Sequence, residues 1–336
     1  LSPSSAASDV YKRQDEKSPA RISHRHFATS CSETERSMVE QILLRQICCM
    51  FLYMLAGIYL YKKKYITKQG SKELGAMLLR IVIPCVIIKS YMTTYSTQKA
   101  EELCIAFVLS LLSLVLAMIV SYIIYGKRYG IENFSASFSN AGFIGIPLAQ
   151  AVYGEEAVFY IASYVALLNL FQWTYGVYLL TQDKKKIGVK AVVSNPIVIA
   201  LIIGLVLFFL PVTIPEIVKT AMSGIAGLNS PLAMIILGVY IAQMNPVNIF
   251  TNIRIYLCAL LRLIVIPLLT WLLFLILPIE NEIIKNVVIM AAATPVGANV
   301  AIFAQQYDND YLLSVQCVCL TTILSFISIP LLFMIV

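Results

Sequence analysis

Residues 134–152, FSASFSNAGFIGIPLAQAV, form an apolar run of spanning length that is interrupted by Asn140, Gly142, Gly145 and Pro147. A helix that crosses a bilayer needs about 20 apolar residues. Asn, Gly and Pro in its interior free backbone groups that lipid cannot satisfy. A second stretch, ATPVGAN at 293–299, sets Thr294, Pro295, Gly297 and Asn299 inside the apolar run 284–304 in the same way. At ~1.5 Å per residue, Asn140–Pro147 lies roughly 9–20 Å from one face and Pro295–Asn299 roughly 16–22 Å from the other. Both interruptions therefore fall near the middle of a hydrocarbon core about 30 Å thick.

The rest of the chain agrees with a membrane setting. Of 336 residues, 59% are hydrophobic and 13% charged, against about 45–50% and about 25% in soluble domains. The mean hydropathy is +0.81. These values exclude a disordered chain, a nucleic-acid-binding domain and an ordinary cytosolic enzyme. Ten apolar runs are expected to span, at about 41–61, 74–93, 103–125, 134–152, 156–180, 193–211, 219–242, 254–278, 284–304 and 311–336. Residues 1–37 are polar and Ser-rich, and SDVYKRQ at 8–14 resembles translated adaptor DNA. The segment is expected to be a disordered or non-native tail, with translation starting at Met38.

Twelve Lys and Arg, from Lys62 to Arg254, fall in the loops after spans one, three, five and seven. The opposite loops hold Lys99, Lys219 and Lys285. The positive-inside rule puts the twelve in the cytoplasm and both ends of the span region outside. Four intramembrane prolines repeat at matched intervals: Pro84 to Pro231 is 147 residues and Pro147 to Pro295 is 148. A unit of five spans, duplicated, must enter the membrane in opposite directions, which makes an inverted repeat. The expected division is a first repeat at 38–182, a cytoplasmic linker at 183–192 and a second repeat at 193–336.

A broken helix presents unpaired N–H groups and a partial positive charge at its new N-terminus. Two such ends at one depth make a site for an anion, most simply a carboxylate. Asn140 and Asn299 can donate amide hydrogens, and Gly142, Gly145 and Gly297 permit close backbone approach. Asn169 and Gln172 of span five, and Asn229 and Ser230 before Pro231, lie near this depth. The competing reading makes these residues packing or kink elements. Asn195-Pro196 reads as a helix cap with Pro at the first helical position.

No Asp or Glu falls in the middle of a span, so neither a proton relay nor a side-chain cation site is apparent. Na⁺ held by backbone carbonyls stays open, and no coupling ion is located. Arg80, Lys89 and Arg262 lie within spans. Arg80 and Lys89 are near enough to span ends to snorkel; Arg262, about 12 Å along its span from Arg254, either snorkels or attracts an anion, with snorkelling the favoured reading. Cys48, Cys49, Cys85, Cys104, Cys258, Cys317 and Cys319 read as small buried hydrophobes, as does Cys31. Both histidines, His24 and His26, are in the tail, so the spans hold neither a Ser-His pair nor a zinc motif. The chain is not expected to be an enzyme, to hold a metal or cofactor, or to bind nucleic acid.

With NAGFIGIPLAQAVYGEEAV (140–158), SNPIVIALIIGL (194–205), LNSPLAMIILGVYIA (228–242) and ATPVGAN (293–299) in place, the chain resembles the auxin efflux carrier family over 38–336. That resemblance implies an all-α fold of ten helices in two inverted five-helix repeats, with spans four and nine broken and crossed. It implies that Pro147 and Pro295 mark the crossing and that Asn140 approaches a substrate carboxylate. It also implies a small organic anion as cargo. The short loop at 183–190 favours malate- or malonate-like carboxylates over auxin. A homodimer is left open. The expected function is secondary transport in the cytoplasmic membrane, with a sodium-coupled symporter of the bile-acid type as the alternative. The site residues expected are Asn140, Gly142, Gly145, Pro147, Asn169, Gln172, Thr294, Pro295, Gly297 and Asn299.

Overall fold

The computed structural model describes residues 33–183, 193–210, 212, 214–243 and 252–335. Among these the regular structure is helical, apart from one isolated β-bridge. Residues 184–192 of the linker expected at 183–192 lie outside the described residues, as does the tail to residue 32.

Helix α1 runs Glu33–Lys62 and α2 Lys68–Tyr91. Then follow α3 Thr97–Tyr125, α4 Gly130–Ser137, α5 Ala141–Tyr153 and α6 Glu155–Thr181. The second part holds α7 Pro196–Phe209, α8 Glu216–Ala226 and α9 Asn229–Gln243. It ends with α10 Ile253–Ile276, α11 Glu282–Ala293, α12 Asn299–Gln306 and α13 Tyr311–Ile335. Seven segments among the described residues are long and apolar enough to cross a membrane: those of α1, α2, α3, α6, α8 with α9, α10 and α13. The shorter α7 and α5 are also apolar.

The cap expected at Asn195 is present, and other helix starts carry caps of the same kind. Asn195 Oδ1 accepts from Ile197 N at 2.8 Å with Pro196 at the first helical position. Ser96 caps α3 and Asn281 caps α11 in the same manner. Each cap satisfies a donor that the first turn leaves open.

The core is apolar, but small and hydroxyl-bearing residues share it while large apolar residues also cover the outer faces. Helix α3 turns Ser110, Ser113, Ser121, Ala106 and Ala117 inward and Val108, Ile119 and Ile123 outward. Ser110 meets Ser163 at 3.2 Å and Ser113 meets Thr270 at 3.3 Å, joining α3 to α6 and α10. Small residues and hydroxyls hold helices together where lipid is as apolar as leucine. The same logic corrects the reading of the cysteines. Cys258, Cys317 and Cys319 are buried, but Cys48 and Cys104 are exposed and Cys49 and Cys85 half-buried. An apolar neighbourhood in sequence does not distinguish a face turned to lipid from one turned to protein.

The two broken elements occupy the centre. Every residue of 131–141 and of 287–298 is buried. The 287–293 stretch is apolar all round, as a helix buried on all sides favours, whereas α4 also buries Glu132, Asn133, Ser135 and Ser137.

Among the described residues, four helices contain a wide π-type turn: Leu78–Val82, Ala141–Gly145, Gln172–Gly176 and Leu261–Val265. Three are followed at once by Ile-Pro: Ile83-Pro84, Ile146-Pro147 and Ile266-Pro267. Proline lacks the N–H and crowds the carbonyl four residues back, and widening the preceding turn accommodates that conflict. Such turns recur at functional sites.

Candidate functional site

The interrupted stretches cross as short extended segments bonded to each other. Asn140 N donates to Pro295 O at 2.8 Å, and Gly297 N donates to Phe138 O at 3.1 Å. Ser139 and Val296 thereby form an antiparallel bridge. Val296 N, between them, donates to Thr321 Oγ1 of α13 at 3.1 Å, and that hydroxyl donates to Cys317 O at 2.7 Å. Every backbone donor in this set has a partner, as a site shut off from water requires. Thr321→Val leaves the Val296 N–H unpaired and is expected to cost about 1–3 kcal/mol. Thermal unfolding of the purified protein measures the loss, and Thr321→Ser, which keeps the hydroxyl, should recover most of it.

The crossing brings four helix ends together. The C-termini of α4 and α11 approach from one side, and α5 and α12 leave from it. Helix N-termini carry partial positive charge and C-termini partial negative charge. A small cavity of about 20 Å³ opens on the N-terminal side. Ser139, Asn140, Gly142, Gly297, Ala298 and Asn299 line it from the crossing, and Asn169 lines it from α6. Leu79, Ile83, Phe143, Val165, Leu168 and Ile197 make its apolar walls. No carboxylate lines it.

Two amide donors at this crossing are buried and unpartnered: Asn140 Nδ2 and Gln172 Nε2. Gln172 Oε1 accepts from Asn299 Nδ2 at 2.9 Å, which leaves the Gln172 amide hydrogens for another acceptor. Asn169 donates back to Val165 O of its own helix at 2.8 Å. An unsatisfied donor in a low-dielectric interior costs about 1–3 kcal/mol, and an anionic oxygen would relieve two at once.

Of the ten residues expected from sequence, Asn140, Gly142, Asn169, Gly297 and Asn299 line this cavity. Gln172 reaches it through Asn299. Pro295 lies in the crossing as an acceptor. Thr294 and Gly145 pack on each other beside it, where a Cβ on Gly145 would stand 3.4 Å from Thr294 Cγ2. The backbone pairing falls at Phe138–Asn140 rather than at Pro147, which sits in the first turn after the wide turn of α5. The reason is local: Ile144 N and Gly145 N both return to Asn140 O, so the helix restarts ahead of the proline.

Pro147 instead lines a larger cavity of about 110 Å³, with Lys89, Gln150, Glu155, Ser223, Asn229 and Ser230 among its walls. Lys89 pairs with Glu155 at 2.9 Å, and Gln150 donates to the same carboxylate oxygen at 3.0 Å. Asn229 separates the two cavities, its Nδ2 3.5 Å from Gly142 O.

The residue that sequence reading misplaced is Arg262. It does not snorkel: it is fully buried. Its Nη1 donates to Ala136 O at 3.0 Å and Ser137 O at 3.3 Å, and its Nη2 donates to Ala292 O. The signal available was its place one helix turn before Ile266-Pro267, in the wide turn of α10. Each of the four wide turns delivers a residue to this region: Leu79, Gly142, Gln172 and Arg262.

The sequence is similar to those of known transport proteins. The family described as Membrane transport protein matches residues 42–333. The chain is also 23% identical over 296 residues to an uncharacterized transporter of Methanothermobacter thermautotrophicus, covering 85% of this chain and 95% of the relative. A match across nearly all the spans shows the family: the chain belongs to the membrane transport proteins of the auxin efflux carrier type, and it is a transporter rather than an enzyme.

Proposed function

We propose that the protein is a secondary transporter of small organic anions, of the malate or malonate class, working by alternating access in the cytoplasmic membrane. The observation that carries this reading is the pair of buried, unpartnered amide donors, Asn140 Nδ2 and Gln172 Nε2. Asn140 lines the cavity where two half-helix N-termini meet, and Gln172 is bonded to Asn299 on its wall; among the described residues no acid lines it. Asn140, Gln172 and Asn299 would hold the carboxylate, Gly142 and Gly297 would let it approach the backbone, and Asn169 would line its path.

In this reading the ten spans form two inverted five-helix repeats. Spans four and nine are then α4 with α5 and α11 with α12. The proline intervals and the matched breaks support that plan. The charge asymmetry of the loops supports cytoplasmic placement of the basic loops and outer placement of both ends. The cavity closed by Lys89 and Glu155 then lies toward the outside, with Asn229 between it and the crossing. Membrane potential favours anion export by about 2.3 kcal/mol per charge per 100 mV.

Flux of labelled malate, malonate and an aromatic carboxylate into proteoliposomes tests the reading. Imposed Na⁺, proton and potential gradients are varied separately. Asn140→Ala removes a donor to a charged group, worth about 1.5–3 kcal/mol, so carboxylate flux should fall tenfold or more while thermal stability holds or rises. Unchanged flux in the variant, or no carboxylate flux under any gradient in the folded native protein, would refute it.

A further inference from the structure

We propose that Arg262 is the fixed counter-charge of the crossing, a built-in cation that fills the carbonyl cluster a bound metal ion would otherwise need. The proposal rests on transport through the crossing but not on which solute is carried.

A charged side chain at this depth is costly and is retained only when something compensates it. Arg262 is fully buried on α10. Its guanidinium donates to three backbone carbonyls, Ala136 and Ser137 in the last turn of α4 and Ala292 in the last turn of α11. The Tyr164 side chain also interacts with it, and Cys258 is a further polar neighbour. These accepting carbonyls belong to the two helix ends that the breaks create. An interrupted helix leaves its last carbonyls without partners, and each end is equivalent to about half a negative charge. Two ends therefore present about one unit of negative charge, which one guanidinium matches. The fork of five N–H donors suits separate carbonyls on two helices better than a point-like ammonium would.

Two consequences follow for the opposite side of the crossing. The negative helix ends are neutralised in place, so the field in the cavity is left to the N-termini of α5 and α12. The carbonyls are also occupied. Unwound carbonyls and half-helix C-termini are what coordinate Na⁺ in transporters with broken helices, and here the guanidinium holds them.

The test uses the purified full-length protein. Its unfolding temperature is compared in sodium, potassium and choline chloride at equal ionic strength, and again for Arg262→Ala and Arg262→Lys. Native protein should show the same unfolding temperature in all three salts. Arg262→Ala should lose several degrees in choline and regain part of that loss, saturably, in Na⁺ or in low millimolar guanidinium. Arg262→Lys should fall between native and alanine and respond less to added cation. A simple packing role would give a loss that no cation restores. If Arg262→Ala does not fold, the native comparison and Arg262→Lys decide. Saturable stabilisation of the native protein by Na⁺ over choline, or an alanine variant as stable as native without any added cation, would overturn the proposal. Failure of the anion reading shows separately, as absent carboxylate flux with these stability results intact.

Discussion

Gly238→Val is expected to prevent the protein from accumulating as a folded species, with a stability loss of about 3 kcal/mol or more. Helices α1 and α9 touch through their backbones. A Cβ built on Gly238 would overlap the carbonyl of Met54, and one built on Gly57 would overlap the carbonyl of Ile235. The obstacle in both cases is main chain, which cannot swing aside as a side-chain tip can. In lipid, close backbone approach at small residues is a principal source of helix association, so separating these helices forfeits the contact along their whole length. Gly224→Val is the control, because nothing lies within 4 Å of a Cβ there. Size-exclusion profiles and thermal unfolding in detergent should separate the two: aggregation or a large loss for Gly238→Val, native behaviour for Gly224→Val. Equal behaviour of the pair would show that α1 and α9 can part without harm.

Gly297→Ala is expected to lower transport tenfold or more and to destabilise the protein by about 1–3 kcal/mol. The added Cβ would stand 2.9 Å from Ser139 O, again main chain, on the segment to which Gly297 is bonded through Phe138 O. Relief requires the two crossing segments to move apart, which lengthens the bonds at Phe138 and Pro295 and shifts the donors beside them. Gly142→Ala makes the comparison sharp. Its Cβ meets only side-chain carbons, Ile83 Cδ1 at 3.5 Å and Val165 Cγ1 at 3.9 Å, yet it enters the same cavity. Flux should fall in both variants, but the unfolding temperature should fall only for Gly297→Ala. Native flux in Gly297→Ala would mean that the register of the crossing is not needed for transport.

The sequence carried the broken elements because their chemistry is local. Asn140, Gly142 and Pro147 in one apolar run, and Pro295, Gly297 and Asn299 in another, are visible without any partner. The cap at Asn195 is local in the same sense. What needed coordinates is what one strand of sequence cannot hold. The pairing of Ser139 with Val296 joins residues far apart in the chain, and the family resemblance puts the crossing at Pro147 and Pro295 instead. Arg262 reads as a snorkelling residue on its own helix, because its partners are carbonyl ends on two other elements. Lipid-facing cysteines look like buried ones because both faces are apolar. The wide turns had a signal in the repeated Ile-Pro, at Pro84, Pro147 and Pro267, that composition and periodicity do not register.

In the proposed reading, with an organic anion bound at the crossing, the size of the crossover cavity sets the character of binding. About 20 Å³ is room for roughly one water molecule and far too little for a dicarboxylate. Loading and opening are therefore one event, and the observed affinity is the intrinsic affinity multiplied by the fraction of molecules already open. A substitution that loosens the crossing's surroundings without touching its donors should then tighten apparent binding. A tenfold gain in the open fraction corresponds to about 1.4 kcal/mol. Affinity in this transporter is governed as much by how readily the resting form gives way as by the groups that meet the solute.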